Sequence, residues 1–187
     1  ETATRPDFKE LSPAQFKDPV LNRNVIGNPD LIVGKITHYD LRWDKYFSPG
    51  EFVSVSVFYK EFENPIEVAI FPGTSNIISF QNALAAENTG IELEVYKDFS
   101  FLGDRFANFY ASANYAYIDS EIELDTSGPS GQTNNTRPLQ GQSPYVANIQ
   151  LGYDNQDKGI SASLLFNKFG ERISEAGTSC RPDIYEQ

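Results

Sequence analysis

Several segments of this chain alternate apolar and polar residues with a period of two, and their polar partners are wrong for a soluble core. In residues 106–117 the odd positions are Ala107, Phe109, Ala111, Ala113, Tyr115 and Tyr117, while the even ones include Asn108, Tyr110, Ser112 and Asn114. Residues 52–62 place Val53, Val55, Val57 and Tyr59 against Ser54, Ser56 and Lys60. Residues 89–97 set Ile91, Leu93 and Val95 against Glu92, Glu94 and Tyr96. A period of two means strands with one apolar and one polar face. Segments of about ten residues, apolar outward and polar inward and separated by turns, are the signature of a transmembrane β-barrel.

Composition leaves that reading intact. Mean hydropathy is −0.42, but half of every barrel strand faces a wet lumen and dilutes the average. No apolar run approaches the ~20 residues of a membrane-spanning helix. A net charge of −11 argues against nucleic acid, which calls for basic patches. Cys180 is the only cysteine and His38 the only histidine, so neither an internal disulfide nor a Cys/His zinc site can be built. The opening at Glu1, with no charged-then-apolar leader, reads as a cut inside a longer polypeptide.

Residues 1–30 carry Pro6, Pro13, Pro19, Gly27 and Pro29 and read as a long ordered loop. Strands are expected over 36–46, 52–62, 77–81 continuing through 90–96, 106–118, 145–153 and 160–169. The connections alternate in length: 48–50 short, 64–76 long, 99–105 short, 120–143 long and 154–158 short. Outer-membrane barrels have short periplasmic turns and long extracellular loops. The Ser/Gly/Asn-rich stretch 126–136 reads as flexible by composition.

The strand over 106–118 leaves a short turn, so it climbs toward the outside. Its apolar face ends in Tyr115 and Tyr117 and continues as Asp119, Glu121, Glu123 and Asp125. Tyrosines mark a rim where hydrocarbon meets headgroup, and the carboxylates beyond read as a solvated strand end rather than a divalent-cation site. Trp43 followed by Lys45 fits a periplasmic girdle and equally an ordinary exposed Trp. His38 beside Asp40 suits a hydrogen bond in the lumen. Glu92 and Glu94 lie two apart on one face, unlike the opposed acids of a glycosidase; they suit a lumen ion-pair network with Arg42 and Lys60. No GxSxG, P-loop or HExxH element occurs, so no catalytic residue is assigned. No cofactor or metal is assigned, and the ligand-binding residues are unknown.

The residues also resemble a known family. Arg5-Pro6-Asp7-Phe8-Lys9-Glu10-Leu11-Ser12-Pro13, Gly27-Asn28-Pro29-Asp30-Leu31 and Tyr39-Asp40-Leu41-Arg42-Trp43 look like the C-terminal part of the barrel of TonB-dependent outer-membrane receptors. So do Val57-Phe58-Tyr59-Lys60, Asn64-Pro65-Ile66-Glu67, Phe80-Gln81-Asn82-Ala83, Gly90-Ile91-Glu92-Leu93-Glu94 and Asn114-Tyr115-Ala116-Tyr117-Ile118-Asp119-Ser120. The run Arg137-Pro138-Leu139-Gln140-Gly141-Gln142-Ser143-Pro144-Tyr145 is the most specific.

The resemblance implies an all-β, antiparallel transmembrane barrel of about 22 strands closed around an N-terminal plug. Residues 1–187 would form a partial barrel domain with about six spanning strands and extracellular loops. The implied protein is a receptor and transporter, not an enzyme, in the bacterial outer membrane. Its implied partners are outer-membrane lipid, the TonB complex acting through a plug that this sequence does not contain, and a siderophore, cobalamin or glycan ligand. Two other classes remain open at this point: a soluble β-sandwich adhesin or carbohydrate-binding module, and a surface scaffold without import. A sandwich would bury Val53, Val55 and Val57 against a second sheet.

Overall fold

The computed structural model describes residues 1–19, 22–48, 50–71, 77–125, 134–178 and 181–187. In chain order the elements are β1 (Thr2–Thr4), α1 (Phe8–Leu11), β2 (Phe16–Lys17), β3 (Asn24–Val25), β4 (Gly34–Ser48) and β5 (Glu51–Glu63). Then come β6 (Ile66–Phe71), β7 (Ile77–Asn82), β8 (Ala85–Asp98), β9 (Phe109–Glu123) and β10 (Thr136–Arg137). β11 (Tyr145–Asn155), β12 (Ile160–Phe169), β13 (Arg172–Glu175) and β14 (Ile184–Glu186) complete the chain.

The six long strands form one antiparallel sheet in the order β4-β5-β8-β9-β11-β12, with β1 at the β4 edge and β10 against β9. Sequence neighbours pair with sequence neighbours, the up-and-down topology of a barrel wall, and the sheet does not close on itself. Register settles which residues share a face. One row runs Leu41, Val57, Ile91, Tyr117 and Tyr145. Another runs Lys45, Val53, Val95, Ala113, Ile149 and Phe166. All nine of Val53, Val55, Val57, Ala111, Ala113, Ile149, Leu151, Ala162 and Leu164 therefore lie on one apolar face. Among the described residues no second sheet covers it: Leu41 is 71% and Leu164 70% exposed. From Phe109 to Tyr117 the apolar face extends eight residue steps along β9, roughly 26 Å. That matches the order of a membrane barrel's apolar band of about 25 Å.

A second layer sits at the end of the sheet that carries the long connections. There β2, β3, β7 and β6 make a four-stranded sheet, with β3 parallel to β7. The main apolar cluster lies on the polar face of the wall at that same end. Ala83, Ala86, Ile122 and Leu124 are buried there, packed by Phe62 and Leu139.

Several boundaries differ from the sequence reading. Residues 77–81 do not continue into 90–96: β7 pairs β6 in the four-stranded sheet, and β8 starts afresh at Ala85. β6 and β7 pair antiparallel and bury Ala69, Ile70 and Ile78 in the loop layer, so their pattern does not belong to the wall. β9 begins at Phe109 rather than residue 106, because two short 3-10 turns over Ser100–Leu102 and Asp104–Phe106 occupy that connection. It continues to Glu123, so Glu121 and Glu123 are strand residues. Pro49 of the expected 48–50 turn, residues 72–76 of the expected 64–76 connection, residues 126–133 of the flexible stretch and Cys180 lie outside the described residues.

Candidate functional site

The polar face carries a ladder of hydrogen-bonding side chains at one level of the wall. Asp44, Ser54, Glu94, Asn114, Asn148 and Asn167 sit opposite one another on six successive strands. The Asn148 amide donates to Asn114 Oδ1 at 2.7 Å, and the Asn167 amide donates to Asn148 Oδ1. Arg42 donates to Asp44 at 2.9 Å and to Glu94 at 3.2 Å, and the Ser56 hydroxyl donates to Glu92 at 3.3 Å. Arg42, Ser54, Ser56, Glu92, Glu94 and Asn114 line a hollow of about 260 Å³ with Ala116 and Val146 at its margin. Two carboxylates, Glu92 and Glu94, face the Arg42 guanidinium there, so the hollow favours neutral polar or cationic groups over anions.

Two glycines shape this face. A Cβ at Gly90 would collide with the Phe58 ring across the strand pair, and one at Gly152 would collide with the Tyr110 ring. In each case an aromatic ring lies flat over a neighbouring strand where only hydrogen fits. Tyr110 stacks on Tyr96 at 5.4 Å, and its hydroxyl accepts from the Gln150 amide at 3.1 Å. Tyr46 and Phe52 extend this aromatic patch, with centroids 5.9 Å apart.

The ion-pair expectation holds for Arg42 and Glu94. It fails for Lys60, whose ammonium lies 4.9 Å over the Phe58 ring instead. Lys60 pairs across with Asn88 and His38, two rows from Glu92, which puts the carboxylates out of its reach. His38 lies on the polar face in the row with Lys60, Asn88 and Ser120. Among the described residues no group of three or more His, Cys, Asp or Glu side chains is placed to hold a metal ion.

At the long-loop end the structure shows a linkage that sequence reasoning missed. Glu67 of β6 and Arg137 of β10 form an ion pair whose side chains are only 6% and 4% exposed. The Gln140 backbone N–H also donates to Glu67. Burial pushes the Glu67 carboxyl above the usual carboxylate range, while Arg137 and that N–H oppose the rise. Arg137 donates to the Pro138 carbonyl at 3.0 Å, and the Gln140 amide donates to the Ser174 carbonyl at 2.9 Å. Arg23 and Arg181 both bond Glu175, at 2.7 and 2.6 Å. The Asn28 amide donates to the Phe80 carbonyl at 3.0 Å, and Asn82 bridges to Ile32 and Asn64. Four segments far apart in sequence are thus cross-bonded into one layer over the polar face.

The family model described as "TonB dependent receptor-like, beta-barrel" matches residues 1–179. The chain belongs to this family. A search of curated proteins finds no match. The family is one of receptors and transporters of the bacterial outer membrane, and it implies interaction with TonB and with a ligand.

As a TonB-dependent receptor barrel, the wall shows rims at both ends of its apolar face. Tyr39, Tyr59, Tyr115, Tyr117 and Tyr145 gather toward the long-loop end, where amphipathic rings suit a membrane boundary. Asp119 and the row Glu61, Glu87 and Glu121 follow directly above them. At the short-turn end the rim is richer than Trp43 and Lys45 suggest. Phe47, Phe101, Leu102, Phe106 and Phe109 are all exposed there. Lys45 lies 6.0 Å over Phe47, and Lys97 lies 5.1 Å over Phe101. Trp43 stands one row above Lys45, opposite Val55, inside the apolar band. The aromatic-rich run 99–109 was the available sequence signal, but it has no period because it is a turn.

Proposed function

We propose that residues 1–187 form one continuous piece of the wall and outer loops of an energised outer-membrane importer, with the apolar face against lipid and the polar face lining the lumen. The long-loop end is extracellular and the short-turn end periplasmic. The observation that carries this reading is the pairing of two unlike faces: a bare apolar band rimmed by aromatics, backed by the ladder from Asp44 to Asn167. Lipid asks for the first and a water-filled or plugged lumen for the second. The cross-bonded loop layer forms part of the vestibule in which ligand first lodges. The wall itself is passive; a plug pulled by the TonB complex supplies the motion.

The ladder's chemistry favours a neutral, polyhydroxylated ligand of the glycan class over an anionic ferric siderophore. Amides and carboxylates hydrogen-bond hydroxyls well, whereas Glu92 and Glu94 outnumber Arg42 around the hollow and repel an anion. Deleting the full-length gene in its host tests this. The expected result is slowed growth on glycans as carbon source, reproduced by loss of TonB. A defect confined to iron or cobalamin limitation would overturn the ligand class, and no defect under any of these conditions would favour a non-transporting scaffold.

A further inference from the structure

The outer face carries an amphiphile-shaped site at the tyrosine rim. Thr89 sits between Tyr59 and Asp119 in one row, and its short side chain leaves a hollow among the larger rings. That hollow, about 520 Å³, is lined by Tyr39, Leu41, Val57, Tyr59, Ile91 and Tyr117 and is almost wholly apolar. A second hollow of about 290 Å³ continues from it across Thr89 and Asp119, lined by Glu87, Glu121 and Glu123. The lower hollow suits a hydrocarbon chain and the upper one a positive charge.

The Tyr59 hydroxyl donates to Glu87, but among the described residues no cation balances the upper hollow. Glu61 faces Glu87 directly, and Glu87 faces Glu121, in consecutive cross-strand pairs. Like charges placed opposite one another destabilise a sheet. Among the described residues none of Glu61, Glu87, Asp119, Glu121 and Glu123 has a cationic partner. The carboxylates are strung along strands and do not converge as metal ligands must. A spread row of anions beside an apolar hollow matches a larger organic cation better than a chelated metal ion.

We propose that this groove binds an outer-leaflet lipid with an ammonium headgroup, its chain along Leu41, Val57 and Ile91 and its ammonium among Glu87, Asp119 and Glu121. The inference rests on the outward placement of the apolar face argued above. The test is photolabelling of the full-length protein in detergent with a diazirine-bearing alkyl chain carrying a trimethylammonium head, compared with the same chain carrying a carboxylate. The ammonium probe should label the β8 peptide more strongly by about tenfold, the scale of a few exposed charge contacts. Glu87→Gln/Asp119→Asn/Glu121→Gln should remove that preference while leaving weak labelling by both probes. Thr89→Trp, which fills the hollow, should abolish labelling of the peptide by either; heat-shifted gel mobility verifies that each variant is folded. Equal labelling by the two heads, or a preference that survives the triple variant, would overturn the proposal. So would labelling by a phosphate-headed probe that requires magnesium and is lost in EDTA. Absence of labelling along the whole face, Leu93 and Leu151 included, would instead indict the outward placement.

Discussion

An arginine scan along β9 tests the two faces with a graded prediction. Ala113 lies four residues above Phe109 and four below Tyr117 on the apolar face, about 13 Å along the strand from each rim. It is therefore the residue of this strand nearest the middle of the band. An arginine facing lipid at the midplane costs about 2–4 kcal/mol, falling to about 0–1 near the interfaces. Ala113→Arg should thus shift the folding equilibrium of the full-length barrel in vesicles by roughly 30- to 900-fold. Ala111→Arg and Tyr115→Arg should cost less, and Tyr117→Arg least in transfer terms. Ser112→Arg points to the polar face beside Tyr96 and Gln150 and should cost less than Ala113→Arg. Urea titration read by heat-shifted gel mobility measures the series. A flat profile, or equal losses at Ser112 and Ala113, would refute the assignment of faces.

The loop layer and the polar face give two further expectations. The raised carboxyl of Glu67 means the folded layer binds its proton more tightly than the unfolded chain does. Its contribution is greatest below the unfolded pKa and is lost as pH rises through the folded one; Glu67→Gln should flatten the pH dependence of loop proteolysis, and an unchanged pH slope in that variant would contradict the assignment. On the polar face, Gly152→Ala should lower stability by about 1–3 kcal/mol through overpacking against Tyr110. Adding Tyr110→Ala should recover part of that loss in a double-mutant cycle read by urea titration, and strict additivity would show that the ring is not the obstacle.

Much of the wall was legible because its information is local. The alternation in residues 52–62 and 160–169 fixes both strand and face, since each residue's side follows from its parity. Tyr115 and Tyr117 were legible as a rim because charge follows them immediately. The loop layer was not legible. Glu67 and Arg137 stand 70 positions apart and look in sequence like ordinary surface charges; only the hairpin β6-β7 and the run into β11 bring them together. Residues 77–81 carry strand residues whichever sheet they join, so pattern alone attached them to the wrong one. Lys60 had the right charge and face but the wrong row, which depends on the register between strands.

The orientation of the wall in the outer membrane is tested most directly by epitopes in the full-length protein on living cells. One epitope follows Asn134, exposed in the long connection after β9, and the other follows Gln156 in the short turn between β11 and β12. Both positions are exposed and lie outside the strands, so insertion there spares the pairing of the long strands. Antibody should stain intact cells through the Asn134 epitope and reach the Gln156 epitope only after the outer membrane is breached. Staining of intact cells through Gln156 but not Asn134 would contradict the account.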